Sequence, residues 1–109
     1  HHLREHAMII IDYDTEAHCF DIRLLVDPDL RGGSTRNLTD RVNADYTADG
    51  TLAAVELIGD SPEAVADLLA AVPAVGLDPD VVEAAVKAAF AAPDREITLE
   101  VGPVLAPPV

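Results

Sequence analysis

The sequence predicts an α+β fold, an antiparallel sheet of four strands, or five, covered on one face by two C-terminal helices. Three observations carry this. Runs before residue 60 alternate apolar and polar with the period of a strand. Residues 62–91 place apolar side chains at helical spacing. Between two alternating runs, 41–47 and 51–58, stands Ala48-Asp49-Gly50, a hairpin tip. Gly reaches positive φ freely and Asp tolerates it, so Asp-Gly favours a tight turn.

The elements follow in order. Residues 1–7, His1-His2-Leu3-Arg4-Glu5-His6-Ala7, resemble a purification-tag remnant and stand outside the fold reading. Residues 8–13 are apolar and rich in β-branched side chains, as a buried strand would be. Asp14-Thr15-Glu16-Ala17 makes a tight connection, with Asp14 able to accept local N–H bonds. Residues 18–26 alternate cleanly: Phe20, Ile22, Leu24 and Val26 face one way, Cys19, Asp21 and Arg23 the other. Residues 27–40 read as one long irregular loop, because Pro28 and Gly32-Gly33 argue against any regular element there. In the hairpin, Val42, Ala44 and Tyr46 share a face, as do Ala53, Val55 and Leu57. The second strand is also apolar at Leu52, Ala54 and Ile58, which fits a central strand or one covered on both faces.

Ser61-Pro62-Glu63 is a helix start: Ser61 caps, Pro62 suits the first position and Glu63 complements the dipole. Val65, Leu68, Leu69 and Val72 form its stripe. Asp78-Pro79 opens a second helix with the stripe Val82, Ala85, Val86, Ala89 and Phe90. Residues 96–101 alternate again and predict a last strand if they join the sheet. Residues 102–109, with three prolines, predict a frayed tail. The domain is thus 8–101.

Composition narrows the function. The chain has 109 residues, enough for one domain, and half are hydrophobic. A net charge of −13 argues against nucleic acid and anionic membranes, and favours a basic partner. No run of about 18 apolar residues suggests a membrane span, and no apolar stretch follows a basic start as in a signal peptide. The single cysteine, Cys19, fits a reducing cytoplasm. The Ala, Val, Asp and Pro bias suggests a GC-rich bacterium.

Residues 8–58 also carry a family pattern. It consists of Tyr13-Asp14-Thr15-Glu16-Ala17 after a strand, Ile22-Arg23-Leu24 ending the next, an acidic turn from Asp45 to Gly50, then Val55-Glu56-Leu57. In order and spacing this resembles the bacterial family known as domain of unknown function 2283. Departures are His18-Cys19-Phe20-Asp21 in place of Asp-Ala-Leu-Tyr, Thr47 for a turn aspartate, Ala54 for a usual Gly, and the longer 27–40 loop. The helices after Gly59 lie outside the resemblance. It implies a small β-rich module without established activity, and, since some members look like partners of toxin-like proteins, an antitoxin-like role.

Each chemistry-bearing group in the sequence also has a structural reading. Asp45, Thr47, Asp49, Gly50 and Glu56 fall on calcium-loop positions with Thr47 the one mismatch, but such a loop needs flanking helices and these flanks read as strands. His18 and Cys19 with Asp12, Asp14 and Asp21 lack any catalytic or zinc spacing. No cofactor motif is present, so no catalytic, cofactor or metal residue is assigned. Arg23, Arg31, Arg36 and Arg41 hold four of the seven basic residues and form the candidate partner contact. The second helix carries Asp80 and Glu83 beside Lys87, which is wrong for a major groove. The expectation is a non-catalytic protein-interaction or regulatory module with a protein partner, and a homodimer through the Ala-rich helix faces. The alternatives are a small-ligand-binding module and a small enzyme using the acidic residues near Asp12 to Asp21.

Overall fold

The computed structural model describes residues 6–24 and 33–103. Its strands are β1 (His6–Asp14), β2 (Cys19–Leu24), β3 (Thr35–Asn37), β4 (Val42–Tyr46), β5 (Leu52–Ile58) and β6 (Ile97–Pro103). All pair antiparallel in one sheet of order β3-β4-β5-β2-β1-β6. Helices α1 (Pro62–Ala71) and α2 (Pro79–Ala91), joined by a 3₁₀ turn at Val72–Val75, cover one face. Helix α2 lies over β1 and β6, and α1 over β4 and β5.

The hairpin closes as its residues require. Gly50 has φ +87°, and its N–H donates to Thr47 C=O at 3.0 Å. Thr47, buried despite its polarity, donates its hydroxyl to Asp49 and accepts the Thr51 N–H at 3.1 Å. The Asp49 carboxylate is therefore engaged inside its own turn, and strands flank it on both sides. A one-residue irregularity beside Tyr46 sets Leu52 opposite Tyr46, and Leu52 packs against the core rather than facing away from it.

The inward rows of β1, β2, β4 and β5 build the core. Ile9 and Ile11, Phe20 and Ile22, Val42 and Ala44, and Val55 and Leu57 are all buried. Ala64, Leu68 and Val72 from the α1 side and Val82, Ala85, Val86 and Ala89 from α2 close it. Ser61 accepts the Ala64 N–H at 3.1 Å, and Asp78 accepts the Asp80 N–H at 2.9 Å, capping the two helices as their sequences require.

The structure departs from the sequence reading at some points and completes it at others. The 27–40 segment is not wholly irregular, because Thr35–Asn37 adds a sixth strand at the sheet edge. All three residues are exposed, so nothing in their pattern marks a strand; pairing with β4 holds them there. Gly33 makes this possible, since a Cβ on it would meet the Tyr46 carbonyl oxygen at 1.8 Å. Residues 96–101 do join the sheet beside β1, and the strand continues through Gly102 and Pro103. Phe90 is not fully in the core but stands 42% exposed at the end of the α2 stripe. Strand β1 starts at His6. Strand β5 is central, yet its second face stays open at Glu56 and Ile58. Val26, residues 27–32 including Arg31, and the tail from 104 lie outside the described residues.

Candidate functional site: the open face of the sheet

Among the described residues no helix covers the outer side of the sheet, and strand alternation decides what appears there. Antiparallel register aligns residues in rows across the strands. One row runs Asn37, Asn43, Glu56, Asp21 and Asp12 from β3 to β1. Ile11 pairs with Ile97, so Glu96 follows Asp12 at the mouth of β6. Adjacent strands lie about 4.8 Å apart, so four carboxylates stand side by side from β5 through β2 and β1 to the start of β6. Asp45 occupies the next row, opposite Ala54.

Like charges facing each other across strands are unfavourable, and repulsion adds to burial in raising two of these carboxyl groups. The Asp21 carboxyl is held above its ordinary 3.8, first by burial and then by Asp12, with Asp45 and Glu96 adding to it. The Glu56 carboxyl is also raised above its ordinary 4.5. The residue is exposed overall, yet partial desolvation of its carboxyl is the largest cause, followed by a hydrogen bond with Asp45. Two carboxyl groups share a hydrogen bond only when one holds a proton. Asp45 also accepts the Thr35 hydroxyl at 2.6 Å, tying the edge strand to this patch.

Arg23 is the cation set among them. Its Nη2 donates to Glu96 and lies 3.9 Å from Asp12, and its Nε lies 3.4 Å from Asp21. Nε is buried and makes no hydrogen bond, so the Asp21 contact is Coulombic alone. The guanidinium is held above its ordinary value, chiefly by the Glu96 hydrogen bond.

The other arginines lie elsewhere. Arg36, opposite Ala44, falls in the inward row at the β3 edge, and Arg41 lies in the turn before β4. There Arg41 donates its N–H to the Thr39 hydroxyl and accepts the Ile58 N–H through its carbonyl. Arg23 and Arg36 are thus on opposite faces, three strand spacings apart, and do not converge. Asp14 turns away from Asp12 and Asp21, accepting the Glu16 and Ala17 N–H groups at 3.0 Å each. Cys19 donates its thiol to the Ala17 carbonyl at 3.3 Å. Among the described residues no three His, Cys, Asp or Glu side chains gather as metal ligands.

A second feature was not legible in the sequence. Asp60, ahead of α1, accepts the Tyr13 hydroxyl at 2.5 Å and contacts His18 Nδ1 at 2.8 Å. These bonds hold its carboxyl below 3.8, with Tyr13 the larger cause, and the same contact pushes the Tyr13 hydroxyl above 10.0. Tyr13 stacks on Phe20 at 4.6 Å, and Phe90 meets both rings edge-on at 5.1 Å. The three partners are 47 and 42 residues apart along the chain, so no local motif announces them.

No protein-family model, curated protein or solved structure matches this chain. Among the described residues no helix is long and apolar enough to cross a membrane.

Proposed function

We propose that this protein is a non-catalytic interaction module whose open sheet face receives a basic protein partner. One observation carries the reading: Glu56, Asp21, Asp12 and Glu96 stand in one row on the face opposite α1 and α2, with Arg23 the cation among them. Burial and mutual repulsion hold Asp21 and Glu56 above their ordinary values. A Lys- or Arg-rich segment laid across the row would relieve that repulsion, and the complex would gain what the free domain lacks. Electrostatic attraction of this kind speeds encounter as well as selecting the partner. The reading accords with the antitoxin-like role implied by the resemblance over residues 8–58, and with work in a reducing bacterial cytoplasm. Arg36, in the inward row at the β3 edge, and Arg41, in the turn before β4, would then border the contact rather than form it.

Carbodiimide coupling tests this directly, because it joins a carboxylate to a lysine it already touches. Applied to the protein with whatever basic protein co-purifies from its own cells, it should place cross-links on Asp21, Glu56 and Glu96. Cross-links confined to the helices would reject the sheet face as the contact.

A further inference from the structure

We infer that the groove between α1 and α2 is a second docking site, and that its occupant is a cationic amphipathic helix of a partner protein. The groove measures about 410 Å³, and Val65, Leu69, Val86 and Phe90 form its apolar floor. It lies over the helix layer, on the opposite side of the domain from the carboxylate row, and stands independently of the proposal made for that face.

The floor is fixed in advance. Phe90 is 42% exposed, yet its ring is held against Tyr13 and Phe20, which stack on each other. An exposed aromatic that is already immobile loses little entropy on binding, which is what makes an effective anchor. The groove also has charge at each end. Asp60 belongs to the Phe90 end, because Tyr13 touches both. Its carboxylate is turned toward the ionised form by the Tyr13 hydroxyl. Glu83 lines the groove seven residues before Phe90 on α2, and Lys87 stands on the same wall between them, so the groove carries two carboxylates and one cation. At 1.5 Å per residue the seven residues span about 10.5 Å.

This geometry describes its ligand. A helix lying along the groove spans the same distance in seven residues. It would place Lys or Arg at i and i+7 against the two carboxylates, and apolar side chains at i+3 and i+4 on Val86 between them. Charge selects this occupant over a second copy of the chain. Residues 60–91 hold Asp60, Glu63, Asp67, Asp78, Asp80 and Glu83 against Lys87 alone. Two such layers brought together would repel, whereas a basic helix complements both ends.

The test uses the full chain and a labelled helical peptide with Leu at i+3 and i+4 between Lys at i and i+7. Fluorescence anisotropy should show it binding about tenfold tighter than the same peptide with Glu for Lys. Glu83→Lys, on an exposed helix position, should erase most of that preference without unfolding the domain. Asp21→Asn with Glu56→Gln, on the other face, should leave it unchanged. Equal binding of the two peptides, no binding, or a loss that follows Asp21→Asn instead of Glu83→Lys would overturn the inference. So would a chain that sediments as a dimer and becomes a monomer in Glu83→Lys, since the groove would then hold a second copy.

Discussion

Replacing Glu56 with Gln should stabilise this protein at neutral pH. Glu56 lies directly opposite Asp21 and beside Asp45. A like-charge neighbour across a strand costs roughly 0.2–1 kcal/mol. Two neighbours would double this, but Glu56 is exposed and water screens part of it, which leaves a gain of about 0.5–1 kcal/mol. For a domain of this size that raises Tm by roughly 2–5 °C. Gln keeps the hydrogen bond, since its amide donates to Asp45 without borrowing a proton. The sign of the pH dependence follows from the raised carboxyl. The folded state holds the Glu56 proton more tightly than the unfolded chain, so the penalty exists above the raised value and is gone below the ordinary 4.5. Urea denaturation at pH 7 and near pH 4 measures both limits. The gain should be present at pH 7 and absent near pH 4. A variant no more stable than the parent at pH 7, or a gain of equal size at both, would refute the reasoning.

Other outcomes follow from the same structure. Stability of the parent protein should peak at mildly acidic pH. As pH falls from 7, protonation of Asp21 and Glu56 removes repulsion. Below the ordinary 3.8 the depressed carboxyls of Asp49, Asp60 and Asp94 lose their contribution as pH passes through their folded values, as thermal scans across pH would show. Asp94 accepts the Thr15 N–H at 2.9 Å and its hydroxyl at 2.7 Å, so Asp94→Asn should destabilise at pH 7 and have little effect once the carboxyl is protonated. Leu68→Ala, at a fully buried core position, should cost about 2–5 kcal/mol in chemical denaturation. Gly33→Ala should detach β3, because the added methyl has only backbone to meet, and amide exchange at Tyr46, whose N–H donates to Ser34 C=O, should accelerate.

Much of the fold is written locally. The hairpin, the two capped helices and the inward rows of β2 and β4 follow from alternation, turn residues and caps. Strand β6 was readable as a strand, but its place beside β1 was not, because pairing across some 90 residues leaves no local mark. Strand β3 was hidden for a different reason. An exposed edge strand needs no apolar alternation, and Gly33 reads as a breaker until its packing on Tyr46 is seen. The site divides the same way. The outward direction of Asp21 and Arg23 is plain from the period of β2. That Glu56, Asp21 and Asp12 fall in one row, with Glu96 closing on Arg23, depends on register and strand order. The arginines from 23 to 41 are close in sequence, yet the sheet places Arg23 and Arg36 on opposite faces.

The sharpest test of the open-face reading is an NMR titration of the full chain with oligolysine, which offers cations but no apolar side chain for the helix groove. Amide shifts should cluster at Asp12, Asp21, Glu56 and Glu96, and should vanish in Asp21→Asn with Glu56→Gln. Shifts gathered on α1 and α2, or a response that survives those two substitutions, would contradict the claim that this acidic face is where a basic partner lands.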